Sequence, residues 1–266
     1  MGLHRLDERA WLEVDARRDA ELREKARLLD VARATVLVTL PAGAGGSGEL
    51  LGLVVADLRA HHGLEVIADG GRHPIEAAAR LVQEDLCVLV RDDAWRLAAA
   101  CVCFPSRWSL AEKVGTTLDE IHGPVPGFDR TLAGPAATFF DRLSVERPVW
   151  RRNWTLLDTP ELHLPSPAAR RRAPELGDDL GATLWFRVER QTLRRLPASD
   201  AIVFTIRTTV QSLGDVVVST PGFAAALRAT LGTVDDDVAA YKGWADLLGP
   251  LATWLDEAAT TPSADG

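Results

Sequence analysis

The stretch between residues 86 and 104 leaves the chain few choices. Leu86-Cys87-Val88-Leu89-Val90 is a short apolar run, Arg91-Asp92-Asp93-Ala94 is polar, and Trp95 to Phe104 is apolar again before Pro105 ends it. Two such runs around a tight polar turn predict a β-hairpin. Further strands are expected over 184–191 and over the β-branched stretch 201–210. Residues 36–40 read as a short strand or as the end of a helical segment. Around this block the spacing of apolar residues is helical. One helix is expected over 8–29, a second over 49–60, and a third from Pro74, which suits a first helical turn. Ser109-Leu110-Ala111-Glu112 has the form of a capping box opening a helix that runs to Ile121 or His122. Gly123, Pro124, Pro126 and Gly127 then forbid its continuation. Helices are also expected over 135–146 and from Thr220 onward. Residues 165–182 read as an exposed loop, and the tail from Thr260 as frayed. Helices flanking a central block of strands define an α+β fold with a mostly antiparallel sheet, rather than alternating βαβ units.

Several function classes fall away. The 266 residues carry 30 Lys+Arg against 38 Asp+Glu, a formal charge of −8, which argues against nucleic acid as the main partner. No apolar run approaches the ~20 residues that span a bilayer, so no membrane association is expected. The N-terminus lacks a basic-then-apolar secretion layout, and three cysteines without repeating spacing suit a reducing cytoplasm. There is no phosphate loop, no Cys-x-x-Cys pair and no His-Glu-x-x-His. The glycine-rich stretch Gly43-Ala44-Gly45-Gly46-Ser47-Gly48 lacks the spacing of a dinucleotide fingerprint and reads as a flexible turn.

Three groups of residues could carry chemistry. His122 stands at a helix end stiffened by Pro-Val-Pro, a rigid mount that suits a metal or haem ligand and equally suits a helix cap. On a strand, Arg187, Glu189 and Gln191 share one face and Val188 and Arg190 the other. Glu189 beside Arg187 would stay ionised and could receive a cationic substrate; a solvated edge strand with a surface ion pair fits the same pattern. Arg194 and Arg195 follow, and with Arg187 and Arg190 form a basic cluster able to hold carboxylates or simply to line a solvated turn. A polar–aromatic set comprises Gln83-Glu84-Asp85, Phe104-Pro105-Ser106-Arg107-Trp108, Lys113 and Asn153-Trp154. Cys101 and Cys103 read as core rather than catalytic.

In order along the chain stand Gln83-Glu84-Asp85-Leu86-Cys87, Cys103-Phe104-Pro105-Ser106-Arg107-Trp108, Glu112-Lys113-Val114-Gly115, Ile121-His122-Gly123-Pro124-Val125-Pro126-Gly127, Arg152-Asn153-Trp154 and Arg187-Val188-Glu189-Arg190-Gln191-Thr192-Leu193-Arg194-Arg195-Leu196-Pro197. This ordered set, from about Trp11 to about Trp254, resembles the haem-dependent oxidative N-demethylase alpha-subunit family. The resemblance implies a single haem-binding PAS-like domain over 1–266, with an N-terminal helix within 1–30 and C-terminal helices within 220–260. It implies oxygen-dependent removal of a methyl group from a small secondary amine such as dimethylamine, with haem b as cofactor. Electrons would come from NADPH through a separate flavin and iron–sulfur reductase subunit. His122 is carried over as the axial iron ligand. Residue chemistry then suggests Glu189 and Arg187 on the distal side, one to bind the ammonium and the other to polarise dioxygen, and Lys113, Arg194 and Arg195 as propionate partners. A haem PAS-type gas or redox sensor without turnover is the alternative.

Overall fold

The computed structural model describes residues 2–123, 133–166 and 179–260. Seven strands form one sheet: β1 (His4–Arg5), β2 (Leu37–Thr39), β3 (Asp85–Arg91), β4 (Trp95–Cys101), β5 (Val149–Leu157), β6 (Trp185–Arg195) and β7 (Ile202–Ser212), in the order β1-β5-β6-β7-β3-β4-β2. The expected hairpin is β3–β4, antiparallel, with Leu86 opposite Cys101 and a register shift between Val88 and Leu89. On its other edge β3 pairs antiparallel with β7, Cys87 facing Phe204. The fold is α+β with an antiparallel sheet. The chain divides into two compact units: 1–153 with 163–165 and 189–208, and 154–162 with 166–188 and 209–266. The division falls within β5, β6 and β7.

In the first unit, Cys87, Leu89, Trp95, Leu97, Leu193 and Ile202 anchor an apolar cluster, with Trp108, Ile121, Phe139 and Phe140 packed against it. Its helices are α1 (Arg18–Val31), α2 (Arg33–Val36), α3 (Ala44–His62), α4 (Pro74–Ala79), α5 (Leu118–His122) and α6 (Ala133–Arg142). The glycine-rich stretch is not a flexible turn; it is the opening of the 19-residue α3. Glycine is needed there for close approach. A Cβ on Gly46 would meet Val88 Cγ1 at 2.7 Å and Ala201 Cβ at 2.9 Å, and one on Gly43 would meet the Ala98 carbonyl at 2.9 Å.

The helix expected over 8–29 begins only at Arg18. Before it lies a 3-10 turn (Glu8–Ala10), followed by a non-helical stretch that buries Trp11 and Leu12. That stretch is held by the Gln83-Glu84-Asp85 motif. Glu84 Oε1 accepts from the Glu13 N–H at 2.8 Å, and Gln83 Oε1 from the Asp15 N–H at 3.1 Å. Gln83 Nε2 donates to Asp15 and Glu21, and Arg207 pairs with the same two carboxylates at 2.6 and 2.9 Å. Lys25, fully buried, donates to the Val82 and Glu84 carbonyls. Asp85 accepts from the Cys103 and Phe104 N–H groups at 2.8 Å each. The motif is a buried clasp between the N-terminal segment and the sheet, in which every member has a structural partner.

The second unit packs Leu156, Leu184, Leu213, Leu227, Leu251 and Leu255 into its own core. Its helices are α7 (Leu180–Thr183), α8 (Leu213–Ser219), α9 (Phe223–Leu231), α10 (Asp236–Lys242) and α11 (Leu248–Thr260). Trp154 stacks on Trp244 with ring centroids 5.6 Å apart. On β5, the Trp154 carbonyl accepts from Lys242 Nζ and the Leu156 carbonyl from Trp244 Nε1, both at 3.3 Å. Most of the loop expected over 165–182, and the tail beyond Thr260, lie outside the described residues.

Candidate functional site

The expected start of the helix leading to His122 is displaced. Ser109 makes no side-chain cap, and only a 3-10 turn (Leu110–Glu112) follows it. Gly115 at φ 79° breaks the chain direction, and a second Thr-x-x-Glu pattern supplies the capping box. Thr117 Oγ1 accepts from the Glu120 N–H, while Glu120 Oε2 accepts from the Thr117 N–H at 2.7 Å. These two bonds satisfy donors that a helix start leaves unmade, which allows a helix as short as α5 to form. Leu118 and Ile121 pin it to the apolar cluster. Lys113 Nζ donates to the Ile121 carbonyl at 2.6 Å and closes its C-terminal end.

His122 is thereby mounted half-buried. Its Nδ1 lies 2.8 Å from the Leu118 carbonyl. A carbonyl only accepts, so Nδ1 carries the proton. Burial lowers the pKa of the imidazole, the charges of Arg151 and Lys113 lower it further, and the Leu118 bond opposes them. A neutral imidazole protonated on Nδ1 has its lone pair on Nε2, the arrangement of a metal-ligating histidine.

Arg151 on β5 connects His122 to the strand face expected to carry chemistry. Its Nε donates to Gln191 Oε1 at 2.8 Å, and Gln191 Nε2 donates to Glu189 Oε2 at 3.0 Å. Burial lowers the Arg151 pKa and the Glu189 charge opposes this. Arg151 thus lies within electrostatic reach of both His122 and Glu189. His122, Lys113, Arg151, Gln191 and Glu189 all belong to the first unit.

The remaining expected residues stand elsewhere. Arg187 belongs to the second unit, fully buried, with Nη1 donating to the Leu162 carbonyl at 3.1 Å. Arg194 takes the opposite face of β6 from Glu189, its guanidinium 4.4 Å from the centre of the Trp11 ring. Arg195 pairs with Asp200 and donates to the Asp141 and Leu143 carbonyls. Arg151 escaped the sequence reading because residues 149–157 were not recognised as a strand. Charges in Trp150-Arg151-Arg152-Asn153 obscure its alternation. The Asn153-Trp154 motif was the available signal.

An antiparallel sheet that mounts a tautomer-fixed histidine beside an apolar cluster, with a carboxylate and a guanidinium on the same side, defines an α+β protein with a site built for a metal-bearing cofactor. Residues 61–250 match the family of the haem-dependent oxidative N-demethylase, alpha subunit-like. The match covers more than two thirds of the chain and includes all five residues of the site. The chain belongs to this family.

Proposed function

We propose that this chain is the haem-carrying subunit of an oxygen-dependent amine N-demethylase, with His122 as the axial ligand of a b-type haem. The observation that carries the assignment is the 2.8 Å bond between His122 Nδ1 and the Leu118 carbonyl. It fixes the ring's orientation and tautomer on a short helix that is itself capped and pinned. The apolar cluster beside it suits a flat hydrophobic cofactor, and Lys113 and Arg151 offer cationic partners for its carboxylates. Bound haem supplies the dioxygen chemistry, while the chain supplies the axial nitrogen, the apolar wall and the seat of the amine. The net reaction takes a methylated amine, dioxygen, two electrons and two protons to the demethylated amine, formaldehyde and water. The electrons come from a reductase partner. Glu189 is the seat: a carboxylate aligned by Gln191, with its charge toward the ammonium of the substrate.

His122→Ala is expected to abolish or strongly shift the Soret band of the haem-loaded protein while leaving its far-ultraviolet circular dichroism unchanged. A variant with the wild-type spectrum and haem content would overturn the assignment.

A further inference from the structure

Resting on that reading, Arg151 says something about the shape of the amine. Of its five N–H donors, one is committed to the protein, the Nε bond to Gln191. Among the described residues no hydrogen-bond or ion-pair partner reaches its terminal nitrogens. The side chain is half-buried, and the charge facing it is Glu189. A guanidinium taken partly out of water with its planar fork uncommitted is costly unless an acceptor completes it. The acceptor that matches the fork is a carboxylate, held bidentately. If Arg151 served only to prop Gln191, a neutral donor would do so without that cost.

The spacing between the two charges is also informative. Two hydrogen bonds of 2.8 and 3.0 Å, with one carboxamide between them, place Arg151 Nε no farther than about 8 Å from the Glu189 carboxylate. An α-amino acid held by one hydrogen bond at its ammonium and another at its carboxylate spans about 8 Å from partner to partner. Dimethylamine has nothing to offer the guanidinium. We propose that the substrate carries a carboxylate beside its N-methylammonium group. It is an N-methyl α-amino acid, seated with the ammonium on Glu189 and the carboxylate on Arg151, and Gln191 holds the two receptors in register.

The test is a titration of the ferric, haem-loaded protein with N-methylglycine, its methyl ester and dimethylamine, followed in the Soret band. The ester keeps the ammonium and the size but lacks the negative charge. N-methylglycine is expected to bind at least tenfold more tightly than either of the other two. Arg151→Gln should bring it down to the level of the ester, and Arg151→Lys should restore part of the preference. Equal binding of acid and ester by the wild type overturns the proposal, and that comparison stands even if Arg151→Gln fails to fold. Loss of haem from a folded Arg151→Gln protein also overturns it, because Arg151 would then hold the cofactor rather than the substrate. Dimethylamine bound without any gain from a carboxylate sinks this inference alone. A spectrum that responds to no amine sinks the demethylase reading with it.

Discussion

Glu84 is fully buried, with one carboxylate oxygen bonded to the Glu13 N–H and the other, Oε2, without a hydrogen-bond partner among the described residues. Burial pushes its pKa up to about 7, against the Glu13 bond and the charges of Arg207 and Lys25. A carboxyl whose pKa is raised in the folded state favours folding below its unfolded value, and that advantage is lost as pH rises through the folded value. Denaturant melts should therefore show Glu84→Gln gaining on the wild type between pH 5 and pH 8, by on the order of 3 kcal/mol. An identical difference at both pH values would mean that Glu84 is ionised throughout. Glu76 shows the opposite balance. Burial alone would raise its pKa, but hydrogen bonds from Arg33, Arg80 and Arg72 outweigh it and hold the carboxyl near 2. The sequence displayed Gln83-Glu84-Asp85 as a motif without disclosing its task. Its partners at Glu13, Asp15 and Glu21 lie more than sixty residues away, and no local pattern connects them.

At the scale of elements, legibility followed the strength of the local signal. The β3–β4 hairpin, β6 and β7 were visible because their apolar and β-branched runs are bounded by turn residues. Strand β5 was hidden because three polar residues interrupt its apolar alternation, and Arg151 was hidden with it. The capping-box pattern occurs twice, at Ser109 and at Thr117, and only the second is used. The choice between them depends on the left-handed turn at Gly115, a tertiary fact. In α3 composition misled, since its glycines do different work at different positions. Gly46 touches Val88 and Ala201, whereas Gly52 is exposed with nothing within 4 Å of an added Cβ. Gly52→Ala should stabilise the protein by up to about 1 kcal/mol through helix propensity. Gly46→Val should cost at least about 1–3 kcal/mol through overpacking. Urea midpoints of the two variants check this, and equal shifts would mean that α3 does not lie this close to the sheet.

For the whole molecule, α+β class and family were legible, the first from element order and the second from motifs spread over the chain. The division into two units was not, because it falls inside strands rather than at a linker. No helix of the described residues is long and apolar enough to cross a membrane. The sequence carries no phosphate loop or dinucleotide fingerprint, so the haem-loaded chain alone is expected not to oxidise NADPH at a catalytic rate. Anaerobic mixing of the two in a stopped-flow spectrometer should leave the haem ferric. Rapid reduction by a preparation free of flavoprotein would show that the electron route needs no partner.

The order of synthesis adds a consequence of the way β5 is finished. The carbonyls of Trp154 and Leu156, two residues apart and so on one side of the strand, are met by Lys242 and Trp244 rather than by another strand. Each donor lies 88 residues beyond its acceptor. At ordinary translation rates that is about 4–18 s during which the strand exists and its guard does not. Through that interval the carbonyls have only water or a second nascent chain to bond with, and strand edges left this way recruit one another. Crowding of ribosomes on one message, not temperature, is then the hazard this topology has to survive, and a chaperone that binds extended apolar chain would act most usefully before residue 244 emerges.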